Sequence, residues 1–192
     1  MWLVSIKMPS HQTKQIRIGR EMDKIFLFAI LILSISTAFA NEKGVTVKTS
    51  GFDGAKEVYL KPYGSSSCLN MRQTCISVGA VWSSSATGQI GLELKALREL
   101  TMMRELLINI DGDIIKASRD VESQSTDIVN RYKESSQRFI ITQDQFNKML
   151  NAQKVWFKIL KGDGTYIETY LIDNGKDTLA FKGLNRFSKH LH

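Results

Sequence analysis

Few side chains in this sequence stand where they could do chemistry. Beyond position 40 the chain has two cysteines, Cys68 and Cys75, and two histidines, His190 and His192, both within three residues of the C-terminus. A Ser-His-Asp or Cys-His hydrolase needs an imidazole held rigidly beside its nucleophile, and chain ends fray. A histidine-ligated zinc site lacks its ligands for the same reason. Six residues separate the cysteines, whereas Cys-x-x-Cys is the spacing associated with a lowered thiol pKa. In an exported chain the only two cysteines are expected to join, so Cys68 and Cys75 are read as a structural disulfide.

Carboxylates are plentiful, yet Asp111 and Asp113 flank a glycine in a turn, and Asp120 and Glu122 fall in a polar stretch. Two acids divide the work of acid and base only when burial drives their pKa values apart, and these positions do not offer it. Asp111-Gly112-Asp113 and Gly162-Asp163-Gly164 each resemble a fragment of a calcium loop without the further oxygen ligands at fixed spacing, and turn chemistry accounts for both. No catalytic, metal-binding or cofactor-binding set is therefore expected, and the chain is read as non-enzymatic. The formal charge of +7 includes five basic and two acidic residues among the first forty; the remaining 152 residues carry 21 Lys/Arg against 17 Asp/Glu, or +4, spread along the chain. Without a basic run, nucleic acid is not an expected partner.

The remaining candidate is an aromatic face. Val155, Phe157 and Ile159 alternate with Trp156, Lys158 and Leu160, then Gly162-Asp163-Gly164 turns the chain into Thr165–Ile172. With a three-residue loop and Gly164 in the left-handed position, paired residue numbers sum to 326. That register sets Ile159 opposite Ile167 and Val155 opposite Leu171 on one face. The other face receives Trp156 with Tyr170, Lys158 with Glu168 and Leu160 with Tyr166, all favourable cross-strand pairs. Trp156, Lys158, Tyr166, Glu168 and Tyr170 form the candidate binding surface, since aromatics flanked by Lys and Glu are typical of interfaces. The competing expectation is that one of the two helices below covers them.

The elements that must position this face follow from periodicity. Val45–Lys48 and Val58–Tyr63 read as strands, followed by a Ser65-Ser66-Ser67 loop. Ile76–Trp82 and Ile90–Leu94 alternate as strands with one wet side. Leu97, Leu100 and Met103 suggest a short helical turn within Ala96–Arg104. Leu106–Ile110 pairs with Asp113–Ala117 across Asp111-Gly112, a type I′ signal. Ser118–Ser136 is polar and reads as a mobile loop, and Arg138–Ile141 as a strand. Thr142-x-x-Gln145 is a capping box opening a helix whose buried stripe is Phe146, Met149 and Leu150. Asp177 or Thr178 caps a last helix, Leu179–Leu191, with Ala180, Leu184, Phe187 and Leu191 on one side. The expectation is a single α+β domain over 41–192: an antiparallel sheet built from hairpins with about two packing helices, sandwich-like in one form.

Residues 22–40 read as a signal peptide: Met22-Asp23-Lys24, an apolar run from Ile25 to Phe39, and Ala38-Phe39-Ala40 as the cleavage site. Fifteen residues are short of the roughly twenty a spanning helix needs. The exported form is expected to begin at Asn41 and to be periplasmic or secreted, without stable membrane insertion; an uncleaved N-terminal anchor is the alternative. Residues 1–21 read as an over-long start or an extended charged region.

Gly79-Ala80-Val81-Trp82, Asn109-Ile110-Asp111-Gly112, the Lys154–Leu160/Tyr166–Ile172 hairpin and Ala180-Phe181-Lys182-Gly183-Leu184 with Arg186-Phe187 together resemble small exported proteins of Gram-negative bacteria that carry no established function. More distantly the chain is similar to the invasion-associated protein B family, which also has a close Cys pair and a Lys-Gly-hydrophobic segment near its end. The Cys spacing departs from that family's pattern, so no functional residue is carried over. The function expected is non-catalytic binding of a protein or an envelope component. A carboxylate-based envelope hydrolase and a small-ligand carrier are the alternatives.

Overall fold

The computed structural model describes residues 42–70, 72–129 and 131–191, so the expected signal peptide, the residues before it and His192 lie outside the described residues. Ten strands form one open antiparallel sheet: β1 Val45–Thr49, β2 Lys56–Gly64, β3 Cys75–Ser83, β4 Gln89–Leu97, β5 Met103–Ile110, β6 Asp113–Val129, β7 Tyr132–Thr142, β8 Val155–Lys161, β9 Tyr166–Asp173 and β10 Lys176–Asp177. Their order is β1-β2-β3-β4-β7-β6-β5-β8-β9-β10, with β1 and β10 at the ends. Among the described residues two α-helices, α1 Gln143–Leu150 and α2 Leu179–Ser188, complete an α+β architecture. Neither is long and apolar enough to cross a membrane.

Both hairpins marked by glycine have the expected turn, and their register is as expected except at one pair. Asp111 and Gly112 take φ of 52° and 105°, as a type I′ turn requires, and Ile110 pairs with Asp113 through Leu106 with Ala117. Gly164 has φ 83°, and pairs from Leu160↔Tyr166 to Trp156↔Tyr170 follow the predicted sum. The last pair departs from it: a bulge sets Val155 opposite Ile172 rather than Leu171. One extra residue on β9 there brings Leu171 and Ile172 both into the buried region.

Three other expectations are corrected. The segment 96–104 is not a helical turn; β4 continues to Leu97 and β5 begins at Met103, with Arg98 at φ 74° in the bend between. The Ser77 and Gly79 side of β3 is buried, not wet. A Cβ on Gly79 would lie 2.5 Å from the Leu60 carbonyl oxygen, so the residue is glycine because the bulged β2 at Pro62 passes too close for any side chain.

The largest correction is the stretch read as a loop over Ser118–Ser136: residues 118–129 belong to β6 and residues 132–136 to β7, as strands rather than loop. β6 pairs with β5 as far as Ala117, then with β7 from Ser118 onward, so this one strand joins the two halves of the sheet. Val121–Gln124 stand opposite Gln137 alone, in a wide bulge. Gln137, fully buried, fills it: its amide donates to the Asp120 carbonyl (2.5 Å) and Ser123 Oγ (2.9 Å) and accepts from Arg119 Nε (3.0 Å). Hydroxyl and amide bonds thus replace the apolar alternation by which strands are ordinarily read.

The capping box of α1 is present, with Thr142 Oγ1 accepting from Gln145 N at 3.1 Å and Gln145 Oε1 from Thr142 N at 2.9 Å. Thr178 caps α2, accepting from Phe181 N (3.2 Å) and donating to the Leu171 carbonyl (2.6 Å). Both helices direct their apolar sides into the same cluster as Leu60, Ile76, Leu92, Phe139, Phe157 and Ile159. The core therefore lies under α1 and α2 and takes in the Val155, Phe157 and Ile159 side of β8, while Trp156, Lys158 and Leu160 on the other side of that strand are not part of it.

Candidate interaction face

Registers on either side of β8 build the candidate face row by row. Tyr170, Trp156, Asn109 and Ile114 lie side by side across β9, β8, β5 and β6; Glu168, Lys158, Leu107 and Lys116 form the next row, and Tyr166, Leu160 and Glu105 the third. All five residues expected on the surface are therefore brought together. The β5 and β6 members were missed by sequence reasoning. Their signal was the outward half of an alternation whose inward half, Leu106, Ile108 and Ile110, is buried.

Trp156 and Tyr170 stack with ring centroids 5.5 Å apart at 20°. Lys158 Nζ lies 4.2 Å from the centre of the Tyr166 ring and Lys154 Nζ 5.3 Å from that of Tyr170. Lys158 also approaches Glu168 at 3.9 Å, and Lys116 pairs with Glu105 at 2.9 Å. Tyr170 is thus stacked on Trp156 and approached by Lys154, and one face of Tyr166 is taken by Lys158, while Trp156 Nε1 is buried without a hydrogen-bond partner; what the surface offers is tyrosine hydroxyls, aliphatic stems and alternating charge. Tyr166 is 56% and Ile114 66% exposed; Trp156, Leu107, Leu160 and Tyr170 are half-buried. Neither helix covers this face.

Cys68 and Cys75 are joined, and no free cysteine is present. The bond ties a 3-10 turn, Ser66–Leu69, through Cys68 to the start of β3 at Cys75. That turn and Ser65 meet β9 through hydroxyls: Thr169 Oγ1 contacts Ser65 Oγ at 2.6 Å and accepts from Ser67 N at 3.1 Å. Ser66 Oγ accepts from Tyr170 N at 2.8 Å. The disulfide segment thus seals the edge of the strand that carries Tyr170.

The acids singled out by sequence are engaged within the fold. Asp111 accepts from the backbone N–H groups of Gln153 and Lys154, Asp113 pairs with Lys148 at 2.5 Å, and Asp120 with Arg138 at 3.6 Å. Asp120 and Glu122 line one open concavity with Glu93 and Arg138, and Glu99 and Asp163 line another, of about 690 Å³, with Met102, Arg104 and Arg119. There Glu99 and Asp163 both approach Lys161, at 2.7 and 3.6 Å. Burial pushes the Glu99 carboxyl up, but the Lys161 ammonium and the Thr74 hydroxyl outweigh it and hold it below its ordinary value. The Thr165 hydroxyl, together with other contacts, lowers Asp163, and the Glu99 carboxylate raises Lys161. All three groups are held in their charged forms, the opposite of the raised acid and lowered base that general catalysis needs.

This site makes a pH prediction. A carboxyl lowered by folding contributes stability above its unfolded pKa, about 4.3 for Glu, and loses it as pH falls through the folded value. Glu99→Gln should therefore lower the urea midpoint at pH 6, and the gap to the unsubstituted protein should narrow by pH 3. A gap of equal size at both pH values would reject the ionic contact. Comparison of the chain with protein-family models, with curated proteins and with solved structures finds no match.

Proposed function

We propose that the chain is a non-catalytic exported domain, periplasmic or secreted, that binds a protein or an envelope component through the face of Trp156, Lys158, Tyr166, Glu168 and Tyr170. The observation that carries this reading is the uncovered aromatic face: both helices direct their apolar sides elsewhere, while aromatic, aliphatic and charged side chains interleave on an open sheet surface. A disulfide supports export, as an oxidising compartment is where such bonds persist. Packing of the two parts of the sheet around the single core cluster would be the sandwich-like form of the fold in this reading, and the likeness to small exported Gram-negative proteins belongs with it. The concavity at Glu99 and Asp163 does not favour the hydrolase alternative, because Lys161 with the Thr74 hydroxyl lowers Glu99 and the Thr165 contacts lower Asp163, so that both acids are held charged.

Trp156→Ala tests the proposal. As a surface anchor, Trp156 should change stability by only about 1 kcal/mol, the scale of a cross-strand pair, while weakening partner binding by about 2 kcal/mol or more. Thermal melts and co-purification of tagged protein from its own envelope, with and without the substitution, read both effects. A stability loss of about 3–5 kcal/mol, the scale of a core truncation, would reject the face as a binding surface, as would an unchanged set of partners.

A further inference from the structure

We infer that the occupant of the aromatic face is a second copy of this chain, in a face-to-face dimer with its two-fold axis in the plane of the face and parallel to the strands. The inference rests on the reading of this face as an interaction surface and adds the partner. Isologous dimers require a patch complementary to itself, so the position of each charge decides which axis is allowed.

A two-fold axis parallel to the strands lays β9 of one copy over β6 of the other and β8 over β5, row upon matching row. In the middle row, Glu168 then faces Lys116 of the second copy, twice per dimer, and Lys158 faces Leu107. Lys158 keeps its own counter-charge in Glu168 and its ammonium over the Tyr166 ring, so its aliphatic stem is what meets the leucine. In the first row Tyr170 faces Ile114, which at 66% exposure is among the most exposed large apolar side chains described. An axis across the strands through the same middle row is disfavoured, because it would set Glu168 on Glu168 and Lys158 on Lys158. Sheets packed face to face with nearly aligned strands are an ordinary arrangement.

Size sets the strength of the dimer. Four strands about 4.8 Å apart and three rows about 6.8 Å apart give a patch roughly 20 Å on a side. That is smaller than the roughly 800 Å² per partner of a standard stable interface, so the dimer is weak and forms with rising concentration.

The experiment is sedimentation velocity on the chain expressed with its own N-terminal segment and purified in the form the cell leaves, over about 1–300 µM, a range suited to weak interfaces. The expected result is a dimer fraction that grows with concentration and falls on adding salt. Lys116→Glu and Glu168→Lys should each weaken association about tenfold or more, because each sets like charges together twice. An equimolar mixture of the two variants should associate again, since Glu168 of one then faces Lys116 of the other while the two introduced charges face each other. Each variant alone serves as the folding control for the mixture, and a matching melt confirms it. A wild-type protein that stays monomeric throughout, variants that associate as wild type does, or a mixture no better than its parts each overturn the second copy as occupant. The reading of the face itself fails separately, on the stability of Trp156→Ala.

Discussion

Phe187→Ala is expected to cost about 3–5 kcal/mol of stability, the range for removing a large aromatic from a closed core. Phe187 is fully buried and meets Phe146 edge to face, with ring centroids 5.9 Å apart. It therefore ties α2 to α1 as well as to the sheet. The helix that carries it packs on β2, β3 and β9, so the surroundings of the truncated ring have limited freedom to collapse and the cost belongs at the upper end. Leu179, on the same helix but 65% exposed, is the control: Leu179→Ala should change stability by no more than about 0.5 kcal/mol. Urea denaturation of both variants checks the contrast. A loss below about 1 kcal/mol at Phe187 would mean that α2 does not close the core, and the argument that the helices leave the β8–β9 face open would fall with it.

What could be read from the sequence follows the range over which each signal acts. Asp111-Gly112 and Gly164 demand positive φ, which very few turns allow, and each fixed its hairpin with local information alone. The β8–β9 register failed only at Val155, where Leu171 and Ile172 are both apolar and the pattern accepts either partner. The β6–β7 hairpin was illegible for another reason. Its outer part has no apolar alternation, and what orders it is the set of bonds from Gln137 to Arg119, Asp120 and Ser123, whose convergence no propensity records. The candidate face divides along the same line. Its Trp156/Tyr170 half sits on a hairpin and was visible, whereas Leu107, Asn109, Ile114 and Lys116 arrive through the pairing of β5 with β8, strands separated by two others in the chain.

The cysteine pair was legible because the chain offers no other partners; its connection to β9 was not, because Thr169 lies about a hundred residues away. Replacing both cysteines by serine is expected to cost about 2–3 kcal/mol, the chain-entropy contribution of so short a loop. Thr169→Val should cost a further sum of similar size, because it leaves the Ser67 N–H and the Ser65 hydroxyl network short of a buried partner, at about 1–3 kcal/mol for an unsatisfied group. If the disulfide acts by holding the Ser66–Leu69 turn against β9, the two losses are not independent. Once the turn is released the Thr169 bonds are weakened already, so the triple variant should lose less than the sum by about 1 kcal/mol, as expected for groups in one network. Urea denaturation of the unsubstituted chain, the double-serine variant, Thr169→Val and the combination closes the cycle. Thiol titration of the unfolded, unreduced protein should find no free thiol, and two free thiols would reject the bond itself. Strict additivity would show that the disulfide and the hydroxyl contacts stabilise the protein separately, so that the turn is not the element through which the cross-link reaches the strand of Tyr170.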